Sequence, residues 1–242
     1  MNKIIPTTER VFMALVGPSG CGKSFFIYQM LKNRVFFPSF DKILYFYQFE
    51  QALYVRMRRE IANIEFIPTI DFELMEKLEN DGTNYLLIFD DSCDEICRSK
   101  QFEKLATAGR HRKLNCIYIK HNLFHKSPIG RDVELQNTHI VLFKSPRDVH
   151  QINVLGKQLG LDNSQLTYWY NQATSSPFGH LMIDLSPRTN DLLRFSSDSS
   201  SFPATFYLPS SRARITQIDD RSTELLYSQA LSFLQTNKDN FP

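Results

Sequence analysis

Runs of apolar residues alternate with longer amphipathic stretches over most of the chain. Residues 11–16, VFMALV, and 85–89, YLLIF, are apolar throughout, which is typical of strands buried on both faces of a parallel sheet. The pattern predicts strands at residues 11–16, 43–47, 85–90, 115–120, 139–143 and 180–185, a short extended piece near 64–67, and helices at residues 23–33, 71–80, 99–109, 148–158 and 163–173. Because strands alternate with helices, we expect an α/β fold in which a mostly parallel central sheet is flanked by helices on both faces.

The pattern changes after Pro187. Residues 196–214, SSDSSSFPATFYLPSSRAR, are rich in serine and proline, which predicts a flexible segment. Further on, leucine and alanine recur near helical spacing over residues 222–236 and predict a last helix. Its apolar face would dock on the chain's own core, on a neighbouring subunit or on another protein. We therefore divide the chain into a main domain, residues 1–186, and a C-terminal part, residues 187–242.

Composition limits the class of protein. The chain has 242 residues, of which 42% are hydrophobic, enough for one α/β domain with a large core. No apolar run approaches the ~18 residues of a membrane helix, so we expect no membrane association. The N-terminal sequence is too polar for a secretory signal, and four cysteines are too few for a disulfide scaffold at this length. We expect a reducing, intracellular setting, and the net charge of +2 points to no particular partner.

The first motif, Gly17–Ser24, is a glycine-rich loop with the sequence GPSGCGKS between a predicted strand and a predicted helix. It matches the phosphate-binding pattern G-x-x-x-x-G-K-[ST]. Glycines let backbone N–H groups turn inward around phosphates, and the helix N-terminus adds a partial positive charge. Lys23 would reach the β- and γ-phosphates, and the Ser24 hydroxyl would bind Mg²⁺. The predicted nucleotide-binding residues are Gly17, Pro18, Ser19, Gly20, Cys21, Gly22, Lys23 and Ser24.

Two adjacent carboxylates end the predicted strand at residues 85–90. Asp90 can hold Mg²⁺ from the side opposite Ser24. The second acid, Asp91, can polarise a water molecule for attack on the γ-phosphate, which hydrolases need and simple kinases do not. The alternative is that Asp91 caps the following helix, since aspartate is a good N-cap residue.

A polar residue, Asn122, follows the predicted strand at residues 115–120. Ligands of open parallel sheets bind at the carboxyl edge, so its amide can sense the γ-phosphate or orient the water. The alternative is an asparagine in a turn. The loop, the paired acids and this residue, in this order, resemble the ATPase division of P-loop NTPases. That division is the additional-strand catalytic-glutamate (ASCE) type, whose sheet has an extra strand between the first two motifs.

Three longer blocks resemble a narrower group. They are GRHRKLNCIYIKHNLF at residues 109–124, NTHIVLFKSPRD at 137–148 and GHLMIDLSPRTNDLLRF at 179–195. Together with the paired acids, they resemble the HerA/FtsK superfamily and its viral genome-packaging branch, found in poxviruses, virophages and Maverick/Polinton-like elements. The resemblance extends from about residue 11 to residue 195. One departure is Lys120-His121, where we would expect a glutamine near the sensor.

This resemblance implies an oligomeric ring, a pentamer or hexamer, that hydrolyses ATP with Mg²⁺ and pulls double-stranded DNA into a preformed capsid. It implies capsid-vertex proteins as partners, and a location inside the host cell at virus assembly sites, with or without association with the virion. In such rings an arginine of the neighbouring subunit neutralises charge on the γ-phosphate. Arg110 is the first candidate, Arg147 the second and Arg112 a third. The alternative for each is a solvated surface arginine.

Positive charge is concentrated in residues 98–131, which contain nine lysines or arginines against one acid, Glu103. A stretch of one sign beside the nucleotide site suits a motor that follows the DNA backbone without selecting a base sequence. The residues predicted to contact DNA are Arg112, Lys113, Lys126 and Arg131. The alternative is a basic helix face balanced by the acids of residues 90–95, DDSCDE.

Other functions stay open at this point. They are another ATP-driven DNA motor, such as a helicase or conjugative-type DNA pump, a small-molecule kinase, and a nucleotide-gated binding module with little hydrolysis. A kinase would need an arginine-rich lid and an acceptor pocket, neither of which we can place in the sequence. A zinc site of Cys93, Cys97, His121 and His125 is disfavoured because it would crowd the catalytic edge.

Overall fold

The computed structural model describes residues 5–6, 10–37, 39–70, 78, 82–90, 96, 99–108, 114–162, 164–197, 205–207 and 215–216. The strands are β1 Ile5–Pro6, β2 Phe12–Val16, β3 Phe36–Phe37, β4 Lys42–Phe46, β5 Ile64–Ile67, β6 Tyr85–Phe89, β7 Leu114–Lys120, β8 His139–Phe143, β9 His180–Asp184, β10 Phe195–Ser197, β11 Thr205–Tyr207 and β12 Ile215–Thr216. The helices are α1 Lys23–Lys32, α2 Ala52–Glu60, α3 Lys100–Ala108, α4 Pro128–Leu135, α5 Val149–Gln158 and α6 Gln165–Ala173, with a 3₁₀ turn at Asp191–Leu193.

Among the described strands, ten form one sheet in the order β12-β11-β10-β9-β8-β2-β7-β6-β4-β5. The six strands from β8 to β5 run parallel, whereas β9 to β12 continue the sheet with antiparallel pairing. Strands β1 and β3 form a short parallel pair of their own. The predicted mostly parallel sheet is confirmed, and the antiparallel extension is a feature that the apolar pattern did not predict.

Helices cover both faces of the sheet, so the core has two layers. Alternate residues of the central strand β2 face opposite sides, because successive side chains of a strand point to opposite faces. Phe12 and Ala14 pack in the layer that contains residues of α3, α4, α5 and α6. Met13 and Leu15 pack in the layer that contains residues of α1 and α2. The predicted α/β fold with helices on both faces is therefore confirmed.

Strand β7 lies between β2 and β6 and is parallel to both. The register pairs Val16, the last residue of β2, with Lys120, the last residue of β7. The Gly17 N–H donates to the carbonyl oxygen of Lys120 at 3.2 Å. Consequently the glycine-rich loop, Asp90 and the residues after β7 share one edge of the sheet. Strand β7 is therefore the extra strand expected between the strands that carry the first two motifs.

Two helices were not predicted, α2 and α4. Helix α2 is exposed over most of its length and buries only Tyr54 and Met57, which gives a weak apolar period. Helix α4 is short, but its start carries a recognisable signal. Ser127 is the N-cap, with its hydroxyl accepting from the Gly130 N–H at 3.0 Å, and Pro128 is the first helical residue.

The serine-rich segment contains strands, so the prediction of flexibility is wrong for residues 196–197 and 205–207. Ser196, Ser197 and Phe206 are buried, because β10 pairs with β9 and β11 pairs with β10. The division of the chain at residue 187 stays a prediction, although the sheet continues beyond it. The helices predicted at 71–80 and 222–236 lie outside the described residues. Over the described part of the chain, no helix is long and apolar enough to cross a membrane.

Candidate nucleotide site

The glycine-rich loop follows β2 and passes close to its neighbours. A Cβ atom on Gly17 would lie 2.8 Å from the Cβ of Phe143, which is closer than real Cβ atoms approach. Gly22 has a φ of 101°, and a Cβ there would lie 2.9 Å from the Phe178 ring. Glycine is therefore required at both ends of the loop, at one end by close approach and at the other also by backbone conformation.

Helix α1 begins at Lys23, inside the Gly17–Ser24 motif, with Gly22 as its N-cap. The N–H of Phe26 bonds the Gly22 carbonyl oxygen at 2.8 Å, and the amides of the preceding turn lie at the helix N-terminus, where anions are stabilised. The buried Lys23 ammonium donates to the carbonyl oxygens of Gly17 at 2.8 Å and Pro18 at 2.7 Å. Positive charge is thus concentrated inside the curve of the loop.

The structure brings Ser24 and Asp90 together, although they are 66 residues apart in the chain. The Ser24 hydroxyl donates to Asp90 Oδ2 at 2.8 Å, and Asp90 is only 1% exposed. A hydroxyl and a carboxylate at this distance are hard oxygen donors of the kind that Mg²⁺ prefers, so the residues present fit this ion. Their role as metal ligands stays a prediction.

Two tyrosines that the sequence analysis did not select also contact Asp90. Tyr45 of β4 donates to Asp90 Oδ2 at 2.6 Å, and Tyr54 of α2 donates to the same oxygen at 2.8 Å. Burial, followed by the negative charge of Asp90, raises the pKa of Tyr45 well above its ordinary value, so the phenol stays protonated. The apolar period of residues 42–46 signals a core strand, but it gives no sign that a hydroxyl reaches the site.

The site thus combines a glycine-rich loop after the central strand, a lysine and serine that open a helix, and an aspartate that follows a strand two places away. The strand β7 separates the two motif strands. The chain has the P-loop NTPase fold. The Gly17–Ser24 segment is its P-loop.

Comparison with known proteins supports this fold assignment. No family model matches the chain, and no curated protein matches it significantly. Among solved structures, the DNA-packaging ATPase B204 of Sulfolobus turreted icosahedral virus aligns with a TM-score of 0.51 and 14% identity, over 78% of this chain and 96% of that one.

The genome-packaging NTPase B204 of Sulfolobus turreted icosahedral virus 2 aligns equally well. Its complex with AMPPCP gives a TM-score of 0.51 and 15% identity, over 74% of this chain and 95% of that one. Its complex with AMP gives a TM-score of 0.50 and 17% identity, over the same shares of both chains. At these identities the likeness concerns the fold.

The other predicted site residues are only partly described. Asn122 lies in the bend after β7, at the P-loop edge, and is exposed. Arg147 is exposed in the turn between β8 and α5. The structure does not describe Asp91, Arg110 or the other two basic candidates, Arg112 and Lys113. The roles given to all of these residues stay predictions.

Within the basic stretch, the structure corrects the expected role of Lys120. Its side chain is buried, forms an ion pair with Glu134 and donates to the Leu123 carbonyl oxygen at 2.7 Å. A lysine held in this way cannot contribute to a DNA-binding surface. Lys126 and Arg131, by contrast, are exposed.

Cys21, inside the P-loop, is half-buried, and its Sγ atom lies 3.7 Å from Lys23 Nζ. Burial raises the pKa of its thiol, and the nearby ammonium opposes this only in part, so the sulfur is neutral at physiological pH. Among the residues that the structure describes, no cluster of three potential metal ligands occurs. Cys93 and Cys97, considered for zinc, lie outside these residues.

A loop between α6 and β9, residues 174–179, faces the P-loop and lines two open cavities of about 330 and 320 Å³. The larger cavity begins at Gly22 and is bordered by Phe25 and Gln29 of α1 and by Phe178. The smaller one is bordered by the P-loop itself, at residues 20–21, and by Lys144. Space for a ligand therefore continues from the P-loop along the first turns of α1.

Proposed function

We propose that this protein is an ATP-hydrolysing DNA motor that packages double-stranded DNA into a preformed viral capsid as an oligomeric ring. The observation that carries the proposal is the placement of Lys23 and Ser24 opposite Asp90, with Ser24 Oγ 2.8 Å from the carboxylate. It is supported by a fold shared over nearly the whole length of viral packaging NTPases, 95–96% of their chains.

Phosphate binding follows from the loop. The Lys23 ammonium exchanges its bonds with the Gly17 and Pro18 carbonyl oxygens for bonds with β- and γ-phosphate oxygens, which are stronger acceptors because they are charged. Ser24 and Asp90 would hold Mg²⁺. When bound, the ion would neutralise charge on the phosphate oxygens.

The nucleoside would bind in the larger cavity. A chain of phosphates bound at the P-loop leads past Gly22, where the cavity of about 330 Å³ begins. Phe178 and Phe25 offer ring faces to a base, and the side-chain amides of Gln29 and Gln172 offer both donors and acceptors. We therefore place the base in this cavity.

Hydrolysis would be completed by groups at the same edge of the sheet. Asp91 follows the metal carboxylate in the chain and would accept a proton from the attacking water. Asn122 would orient that water, and Arg110 or Arg147 of a neighbouring subunit would neutralise charge on the γ-phosphate. Assembly into a ring is therefore part of the proposed catalytic cycle.

DNA contact is supported by exposed basic residues near this edge. Lys126 lies just before α4 and Arg131 lies within it, and α4 follows β7. Contacts with the phosphate backbone would be independent of sequence and sensitive to salt. Capsid-vertex proteins and a location at virus assembly sites belong to the same proposal.

The deciding experiment is steady-state ATP hydrolysis with and without linear double-stranded DNA, with oligomeric state followed by light scattering. DNA should stimulate turnover as the ring assembles. Lys23→Ala and Asp91→Asn should each reduce turnover at least a hundredfold, on the scale of other catalytic groups. Lys157→Ala on the exposed end of α5 and Asp132→Asn on the exposed face of α4 are the matched controls.

ATP hydrolysis by a monomer at a rate unaffected by DNA would contradict the proposed motor function and favour a simpler nucleotide enzyme. Strand separation on forked DNA would favour the alternative of a helicase. Turnover near zero with DNA and capsid proteins present would favour a nucleotide-gated assembly module.

A further inference from the structure

One oxygen of Asp90 accepts hydrogen bonds from three hydroxyl groups. Asp90 Oδ2 lies 2.8 Å from Ser24 Oγ, 2.6 Å from the Tyr45 hydroxyl and 2.8 Å from the Tyr54 hydroxyl. Both tyrosines are fully buried. A carboxylate oxygen offers about two lone-pair sites, so three donors saturate it. A metal ion that binds Asp90 through this oxygen must therefore displace a donor.

Ser24 is the donor that can leave. Its hydroxyl oxygen is itself a proposed metal ligand, so it would exchange its bond with Asp90 for a bond with the ion. The tyrosines are held by ring packing instead. The Tyr45 ring lies 5.1 Å from the Tyr54 ring and 4.8 Å from the Phe66 ring, and Tyr54 lies 5.2 Å from Phe66. Their hydroxyls stay on Asp90 when the serine turns away.

We propose that Tyr45 and Tyr54 are positioning residues that hold the Asp90 carboxylate in the orientation required for Mg²⁺, an assignment that rests on the proposed nucleotide site. Tyr45 belongs to β4 and Tyr54 to α2, neither of which contributes a residue to the P-loop. Through these two hydroxyls, helix α2 is connected to the metal carboxylate. A displacement of α2 would change metal affinity without any change in the P-loop.

The effect of losing a hydroxyl has an expected size. Removing the hydrogen-bond partner of a metal-binding carboxylate typically lowers metal affinity about 10–100-fold. Tyr→Phe substitution keeps the ring, so the aromatic packing of β4, α2 and β5 persists. Because both hydroxyls bond Asp90, the proposed metal ligand, metal-free nucleotide binding should stay unchanged.

The test measures Mn²⁺ binding to the protein–ADP complex by electron paramagnetic resonance, with ADP affinity measured separately in EDTA. Tyr45→Phe and Tyr54→Phe should each weaken Mn²⁺ binding about tenfold and leave metal-free ADP affinity unaltered. Tyr47→Phe is the matched control. Its ring belongs to the same cluster, 5.2 Å from Tyr54, but the group that chiefly raises the pKa of its hydroxyl is Glu50 and not Asp90.

Wild-type Mn²⁺ affinity in both tyrosine variants would overturn the assignment, and so would an equal loss in Tyr47→Phe, which would make the effect one of packing. A loss of metal-free ADP affinity in parallel with Mn²⁺ affinity would also overturn it. If the unaltered protein binds neither ADP nor Mn²⁺, the proposed function itself fails. That failure can be distinguished from a failure of the tyrosine assignment, because it is seen in the unaltered protein before any substitution is made.

Discussion

Phe178 is held in a left-handed backbone conformation, with a φ of 62°, while 67% of the residue is exposed. A bulky residue with positive φ is a genuine outlier, and such strain is concentrated at functional sites. Its ring lies against Gly22 at the start of the larger cavity. An exposed aromatic ring in this position is suited to stacking on a base.

Replacing Phe178 by alanine should therefore weaken ATP binding by about 1–3 kcal/mol, the usual value of one base–aromatic stack. Competition by inorganic tripolyphosphate, which has no base, should be unaffected. Equilibrium binding of both ligands to the two proteins checks this difference.

Phe49→Ala is the control, because Phe49 is 72% exposed and lines neither cavity. Equal losses for ATP and tripolyphosphate would contradict base stacking and indicate a distorted P-loop.

At the scale of elements, the ion pair of the buried Lys120 and the half-buried Glu134 joins β7 to α4. Glu134 also accepts from the backbone N–H of His125 at 2.7 Å, so one carboxylate fixes the segment that follows the strand. This segment contains Asn122, the proposed sensor. The position of the proposed sensor thus depends on this ion pair.

Removing Lys120 leaves the Glu134 carboxylate, which is only 14% exposed, without its counterion. Lys120→Met should reduce the free energy of unfolding by about 3–5 kcal/mol, whereas the double variant Lys120→Met/Glu134→Met should lose less. Urea unfolding followed by circular dichroism measures both. A double variant that loses the sum of two large single effects would show that the two side chains act independently.

The elements that could be predicted are those with their own local signal. Strands β5 and β8 have the predicted bounds, since both are short, largely apolar runs with clear ends. Strand β10 was missed because its buried residues include Ser196 and Ser197, which are usually exposed. Tyr207 donates to Ser197 Oγ at 3.2 Å, a partner that the sequence does not reveal.

The residues of the candidate site also differ in whether a local sequence pattern predicts them. The P-loop is recognised from the residues that directly follow β2, and Asp90 from its position directly after β6, so each has a local signal in the sequence. Tyr54 reaches Asp90 across 36 positions, and only the packing of α2 on the sheet places it there. Contacts of this kind follow from tertiary structure, so no local pattern predicts them.

At the scale of the whole molecule, the antiparallel strands complete the core beside α6. Trp169, fully buried and the single tryptophan of the chain, packs against Phe195 with ring centroids 4.8 Å apart and against Tyr207 at 6.2 Å. Residues beyond position 186 therefore pack against the core of the predicted main domain.

A protein that ends at Ser186 should lose these contacts. Its Trp169 emission should shift to longer wavelength, and its thermal midpoint should fall by about 10 °C or more, because the buried aromatic residues Phe195, Phe206 and Tyr207 are lost. Fluorescence and calorimetry check both effects.

A protein that ends at Thr216 retains all described strands and serves as the control, with unchanged emission expected. If the shorter protein instead has the same emission and thermal midpoint as the full chain, residues 187–242 do not stabilise residues 1–186. That result would agree with the predicted division into two parts.

The central position of β2 has a consequence during synthesis. Its two neighbours, β7 and β8, contribute partners such as Cys116 for Phe12 and His139 for Met13, more than a hundred residues later. At about 5–20 residues per second, the ribosome needs roughly 6–25 s to deliver the second neighbour. For most of that interval, until β7 is made, the apolar strand has emerged without either partner, and it is open to misassociation with other nascent chains. Protection of β2 by a chaperone would therefore matter most before the second half of the sheet is made.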